Sequence, residues 1–150
     1  MRKIKITFPN GFVARAVVND AEEPYGSELM WKYLETPSKA VCQHTVSTGR
    51  GYLAVPRPPK NPMEIEKAPA KEGFMLTDAH AGEIYFRNGW NFFVIYGDPT
   101  EPLSPSGPLT AKVVPEDLEK YCEACYDVWL HNYTYHKMAY LVFEREEENS

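Results

Sequence analysis

The chain has 150 residues, 43% of them hydrophobic and 13% aromatic, with a formal net charge of −5 at pH 7. That is enough apolar material for one domain with a real core over 1–150, so disorder is excluded as a global description. An acidic balance leaves no basic excess to release phosphate counterions, which argues against nucleic acid, and no apolar run approaches the length of a membrane span.

In chain order, Ile4, Ile6 and Phe8 alternate with Lys3, Lys5 and Thr7, the period of a strand with one buried face. Asn10-Gly11 follows, a pair that tolerates the positive φ angles of a type I′ hairpin turn. Phe12 to Val18 is a second β-rich run, so 3–8 and 12–18 are expected to pair antiparallel. Pro24 then opens a helix over about 24–35, where its missing N–H costs nothing. Glu22 and Glu23 sit at the positive helix end. Gly26, Leu29, Met30, Tyr33 and Leu34 recur at helical spacing, and Thr36-Pro37 stops the run.

Ala40 to Val46 reads as a strand, Ser47-Thr48-Gly49-Arg50-Gly51 as a turn and Tyr52 to Val55 as a short strand. Pro56 to Lys71, rich in proline and charge, is a surface loop. Phe74 to Asp78 is a candidate strand. Glu83 to Arg87 and Phe92 to Tyr96 flank Asn88-Gly89 and read as a hairpin. Gly97 to Pro108 is a second long loop with prolines at 99, 102, 105 and 108. Pro115-Glu116-Asp117 opens a helix to about Leu130, and Met138 to Phe143 is the last strand. Residues 144–150 read as a frayed acidic tail.

The sum is about eight strands and two helices. Many short strands with two long loops favour a small closed barrel, mainly β, over a parallel sheet. The start Met-Arg-Lys-Ile-Lys-Ile-Thr lacks a signal-peptide core, and an odd count of three cysteines supplies no disulfide framework. A cytoplasmic protein is expected, with no membrane partner. The high aromatic content suggests a homodimer.

The strand, turn, strand and proline-started helix resemble the opening of the cyclophilins. The cyclophilin active site has no counterpart: there is no Phe-His-Arg triplet and no Gln-containing strand continuing to Gly-Gly-Asp, so prolyl isomerase activity is disfavoured. Over nearly the whole chain the sequence resembles a bacterial family of uncharacterised proteins with a cyclophilin-like β-barrel. The resemblance lies in Phe8-Pro9-Asn10-Gly11, His44-Thr45-Val46-Ser47-Thr48-Gly49, Asn61-Pro62, Glu83-Ile84, Tyr96-Gly97, Gly107-Pro108 and the final helix with Cys122. Thr48 stands where the family pattern has serine and Arg50 where it has an acidic residue. The segment between Ala111 and Val114 lacks the usual Asn and aromatic residues. The resemblance implies a cyclophilin-like barrel with two capping helices, and no activity.

For chemistry, the leading candidate is His44, which runs into Ser47, Thr48 and Arg50. An imidazole beside hydroxyls and a guanidinium suits a carboxylate, or a general base. The bland alternative is a histidine in the barrel wall bonded to backbone. His44 is taken as base or anchor, Thr48 and Arg50 as ligand contacts, and Tyr96 and Trp129 as aromatic walls. Cys122 and Cys125 with His131 and His136 raise the thought of zinc. The two cysteines fall instead on one helical stripe with Leu118, Tyr121, Val128 and Trp129, so no metal is expected. No phosphate loop, nucleophile elbow or His-Glu-x-x-His occurs, and no cofactor is expected.

Two functions remain open. One is binding of a small polar or carboxylate-bearing molecule at the barrel rim in bacterial metabolism, with or without hydrolysis of an amide or ester. The other is a protein-interaction module without catalysis.

Overall fold

Ile4 and Ile6 lie on one side of strand β1 (Lys3–Thr7) and are fully buried, as the alternation requires. β1 pairs antiparallel with β2 (Val13–Val18), in the register Ile4↔Ala16 and Ile6↔Ala14. The structure, a computed structural model, describes residues 1–147. Six further strands follow: β3 (Ser38–Gln43), β4 (Gly49–Val55), β5 (Glu83–Arg87), β6 (Asn91–Pro99), β7 (Leu109–Val113) and β8 (Ala139–Arg145). They close into one antiparallel barrel in the order β1-β2-β7-β5-β6-β4-β3-β8. The last strand pairs with the first, Ile6 opposite Phe143, so the ring has no free edge.

Helix α1 (Pro24–Tyr33) begins at proline, as expected, and buries Gly26, Ser27 and Met30. Helix α2 (Leu118–Tyr133) follows a short 3-10 turn at Pro115–Asp117 and buries Tyr121, Ala124, Cys125 and Val128. The two helices meet β6 at its start and at its middle. Tyr33 of α1 packs on Phe86 and Phe92, with ring centroids 5.4 and 6.3 Å apart. Tyr121 of α2 donates its hydroxyl to the Ile95 carbonyl at 2.7 Å. Between them the barrel is filled by aromatic and aliphatic side chains, including Phe92 stacked on Phe143 at 3.9 Å.

Several expectations are corrected. Of Asn10 and Gly11, only Gly11 has positive φ, at 90°. Pro9 locks the turn's first central residue at negative φ, and the Gly11 N–H closes it on the Phe8 carbonyl at 2.9 Å. The intended geometry occurs at Asn88 and Gly89, both at positive φ. Phe74 to Asp78 is not a strand. Leu76–Asp78 forms a 3-10 turn, because the Asp78 carboxylate accepts the Met75 N–H at 3.1 Å and holds the chain bent. Strand β7 lies between two prolines in a stretch that carried no strand expectation. Its five residues have too short a pattern to stand out, and its partners are the distant β2 and β5. The expected tail is partly structure, with β8 continuing to Arg145 and the Glu146 N–H donated to the Lys3 carbonyl at 2.9 Å. Glu147 is described but outside any element, and the rest of the expected tail, 148–150, lies outside the described residues.

The stretch after the first long loop, at the 3-10 turn Leu76–Asp78, meets the second long loop. The Leu76 N–H donates to the Leu103 carbonyl at 2.8 Å. Together they cover the outer face of β4, β5 and β6, where Tyr85, Phe93 and Ile95 form a second apolar cluster with Leu76 and Ala79. Strand β6 is therefore buried on both faces from Asn91 to Tyr96. The second loop can lie this close because Gly107 has no side chain. A Cβ there would sit 2.1 Å from the Phe86 carbonyl oxygen and 2.7 Å from the Arg87 Cα. Gly107→Ala should therefore destabilise the fold by about 1–3 kcal/mol, the range for overpacking, and lower the midpoint of thermal unfolding followed by circular dichroism. A variant as stable as the parent would show that the loop moves away freely.

Candidate functional site

His44 is the first residue past β3, not a strand residue as the pattern suggests. The reason is local. Its N–H leaves the ladder and donates to Asn132 Oδ1 at 2.8 Å, while its carbonyl accepts the Tyr133 hydroxyl. Both partners come from the end of α2, so that helix pins the chain just beyond the strand.

The His44 ring is buried, with 2% of the residue exposed. Nδ1 lies 2.9 Å from the Thr45 carbonyl, which only accepts, so Nδ1 carries the proton. Nε2 is then the acceptor for the Tyr96 hydroxyl at 2.6 Å. Trp129 meets the ring edge-on at 4.9 Å and Tyr52 lies 5.2 Å away. Burial pulls the imidazole pKa below its ordinary value, and the contact with the Thr45 carbonyl opposes this. Burial likewise raises the Tyr96 phenol to about 12, against a lowering by Arg50. At neutral pH the pair is an uncharged phenol donating to a neutral imidazole.

The structure thus brings His44, Tyr96 and Trp129 together, with Arg50 reaching Tyr96 from the surface and Thr48 turned into its own loop. Arg50 is exposed and lies along Gly97, its guanidinium 6.0 Å from the Tyr96 ring and 6.0 Å from that of Tyr126. Thr48 is buried in its turn, donating to the Gly51 carbonyl at 2.6 Å and accepting from Thr45 at 2.8 Å. A groove of about 430 Å³ does include His44, with Gln43, Asn132, Tyr133 and Lys137. Neither Arg50 nor Tyr96 lines that groove, and Trp129 packs against the imidazole. Cys42, Cys122 and Cys125 are free thiols, and burial raises each above its ordinary pKa. Cys42 and Cys125 are buried and Cys122 is half-buried.

Two further cavities lie outside the barrel wall, beside the second long loop. The first, about 220 Å³, has a floor of Phe74, Tyr85 and Leu109. Phe74 and Tyr85 meet edge-to-face at 5.7 Å. Its rim carries Glu22, Glu23, Asp78 and Glu83 against Lys71, Lys112 and His80. Glu83 is the best-held carboxylate. One oxygen accepts both the Tyr85 hydroxyl and the His80 N–H, each at 2.7 Å. No lysine or arginine pairs with Glu83 within 4 Å among the described residues, and the His80 ring stands 3.9 Å away. Burial raises the Glu23 carboxyl, the neighbouring Glu22 adds to this, and Lys71 opposes it. The second cavity lies near Thr48 on the other side of Leu76.

Of these cavity residues Thr48 is a sequence candidate, and Asp78 with His80 could form an acid–base pair by sequence, though two residues apart in a turn is a commonplace spacing. A signal was present. Glu83, Tyr85 and Arg87 share one face of β5, and the unbroken apolar run Phe92 to Tyr96 implies a strand covered on both sides.

No protein-family model and no curated protein matches this chain. Among solved structures, one of McbB in complex with tryptophan is similar in fold, with a TM-score of 0.81 and 21% identity. The match covers 98% of this chain and 46% of that one, so this chain spans less than half the length of its structural neighbour.

Because the folded state lowers the His44 pKa, the unfolded chain binds its proton more readily. Stability from this residue is complete above the unfolded value of about 6.5 and is lost as pH falls below it toward the folded value. Thermal unfolding from pH 8 to pH 5 should show that loss, and a His44→Gln variant should show a shallower acid decline. Equal slopes for the two proteins would mean that His44 is not a group linking pH to stability.

Proposed function

We propose that this chain is a small-molecule-binding barrel of the cyclophilin-like type, whose ligand is a polar molecule carrying a carboxylate, an ammonium group and an apolar ring. The observation that carries this reading is the cavity floored by Phe74, Tyr85 and Leu109, which combines an aromatic surface with side chains of both charges at its rim. A flat ring suits the floor. Glu83, fixed by Tyr85 and without a lysine or arginine of its own, suits the ammonium, and Lys71 the carboxylate, Lys112 being paired with Glu22 at 3.3 Å. An amino acid of the tryptophan kind has these three parts, and the similar fold of McbB in complex with tryptophan supports the choice of probe. The opening hairpin, the proline-started α1 and the closed eight-stranded ring with its two helices support the cyclophilin-like form.

Calorimetric titration with tryptophan, tryptamine and indole-3-propionate tests it. Tryptophan should bind best, each truncated compound more weakly. Glu83→Gln should weaken tryptophan about 10- to 100-fold, the size of one charge-assisted contact, with the unfolding midpoint little changed. Failure of all three to bind a folded protein at millimolar concentration would overturn the reading.

A homodimer is part of the proposal. Tyr126, Tyr133, Tyr135, Met138 and Tyr140 are exposed along α2 and the start of β8, and a second copy would cover such a surface. Sedimentation at micromolar concentration should give twice the 17.2 kDa chain mass. A sharp monomer boundary would remove the dimer and leave the cavity unaffected.

A further inference from the structure

We infer that the cavity beside Arg87 is a second, separate binding site, for a small monocarboxylate with an apolar body. The inference does not rest on the tryptophan-type reading of the other cavity.

Arg87 ends β5 and is half-buried. Its Nη1 donates to Asn91 Oδ1, a neutral acceptor, at 3.4 Å. Among the described residues no carboxylate lies within 4 Å of its guanidinium. By contrast Arg2 pairs with Asp20 and Glu28, and Arg15 with Glu146. A guanidinium carries five N–H donors, and removing it from water without an anion is costly. Burial accordingly lowers the Arg87 pKa, with no acidic neighbour to offset it.

The unpaired cation lines a cavity of about 230 Å³. Leu53, Leu76, Phe93 and Leu103 supply its apolar surface. Ser104, also in the lining, accepts the Ser106 N–H at 3.2 Å and keeps its own proton free to donate. Thr48 lines it too, with its hydroxyl already spent within the turn. Glu101 is the carboxylate of the lining. It accepts the Ser47 hydroxyl at 3.1 Å and makes no ion pair with Arg87. One fixed cation, one free hydroxyl and an apolar slot match one carboxylate on a hydrocarbon body. A dicarboxylate would place its second charge among leucines or beside Glu101. A carboxylate also matches the planar guanidinium fork in a way that chloride does not.

The test is an NMR titration of the labelled full chain, reading the Arg87 Nε–H resonance. Its identity comes from its absence in Arg87→Lys. Hexanoate and benzoate should move it in a saturable way at millimolar concentration. Equal ionic strength of sodium chloride, or butylammonium, should not. The same acids should raise the thermal midpoint of the parent by at least 2 °C and leave that of Arg87→Gln unmoved. Tryptophan added to saturation should leave the hexanoate titration unchanged, which separates this site from the other cavity. A resonance that stays still with both acids, or moves as much with chloride, would overturn the proposal. If Arg87→Gln does not fold, the resonance in the parent still decides the matter.

Discussion

Pairing between the first and last strands is the constraint that the remaining structure answers to. Residues Ile4 to Thr7 bond to Val142 to Arg145, and that seam turns a curved sheet into a ring. Once the ring is closed, the strand edges are satisfied and inward side chains have no exit. The seam also seats α1. Arg145 donates to the Trp31 carbonyl, and Arg2 and Arg145 each stand 4.7 Å from the Trp31 ring. Thus the cationic ends of β1 and β8 hold the helix that covers one mouth of the barrel.

The other mouth is closed by α2, and this explains the environment of His44. Asn132 and Tyr133 hold its backbone, Trp129 packs on its ring, and Tyr96 takes its remaining nitrogen. Its backbone joins helix to barrel, and both ring nitrogens are spent within the barrel, on the Thr45 carbonyl and the Tyr96 hydroxyl. A residue type suited to acid–base chemistry is here part of a buried polar network, satisfied throughout. Glu83 and Arg87, which have charge left to offer, lie elsewhere, on the outer face under the two loops. That face is formed because β6 is apolar on both sides and needs cover, and loops rich in proline and polar residues provide it incompletely. The gaps they leave are the two cavities, one beside Glu83 and one beside Arg87.

Legibility from sequence followed the range of the interactions involved. The hairpin at Asn88-Gly89, the helix begun by Pro24 and the helix begun by Pro115 depend on residues within one turn of each other, and each forms where its local chemistry points. Strand β7 and the end of β8 depend on partners far away in sequence, and they were illegible for that reason. Phe74 to Asp78 has strand-like residues, but an aspartate reaching back to a backbone N–H bends it. At the site, His44, Tyr96 and Trp129, grouped from sequence as base and ligand walls, lie against one another. Arg50 and Thr48 were grouped with them by closeness in sequence. A turn separates adjacent residues onto different surfaces, and β4 carries Arg50 toward Tyr126 while Thr48 folds inward.

By itself the sequence determined that a mainly β domain with two helices would form, because alternation, turn residues and proline-started helices act over a few residues. It also determined that the interior would be rich in aromatic side chains. Which polar groups would be consumed and which left free was decided only by the tertiary structure. Arg50 and Arg87 are the same residue type. One rests at the surface against two tyrosines, and the other ends half-buried with no acid beside it. The difference arises from what the ring and its covering loops bring within hydrogen-bonding distance, and no spacing along the chain encodes that distance.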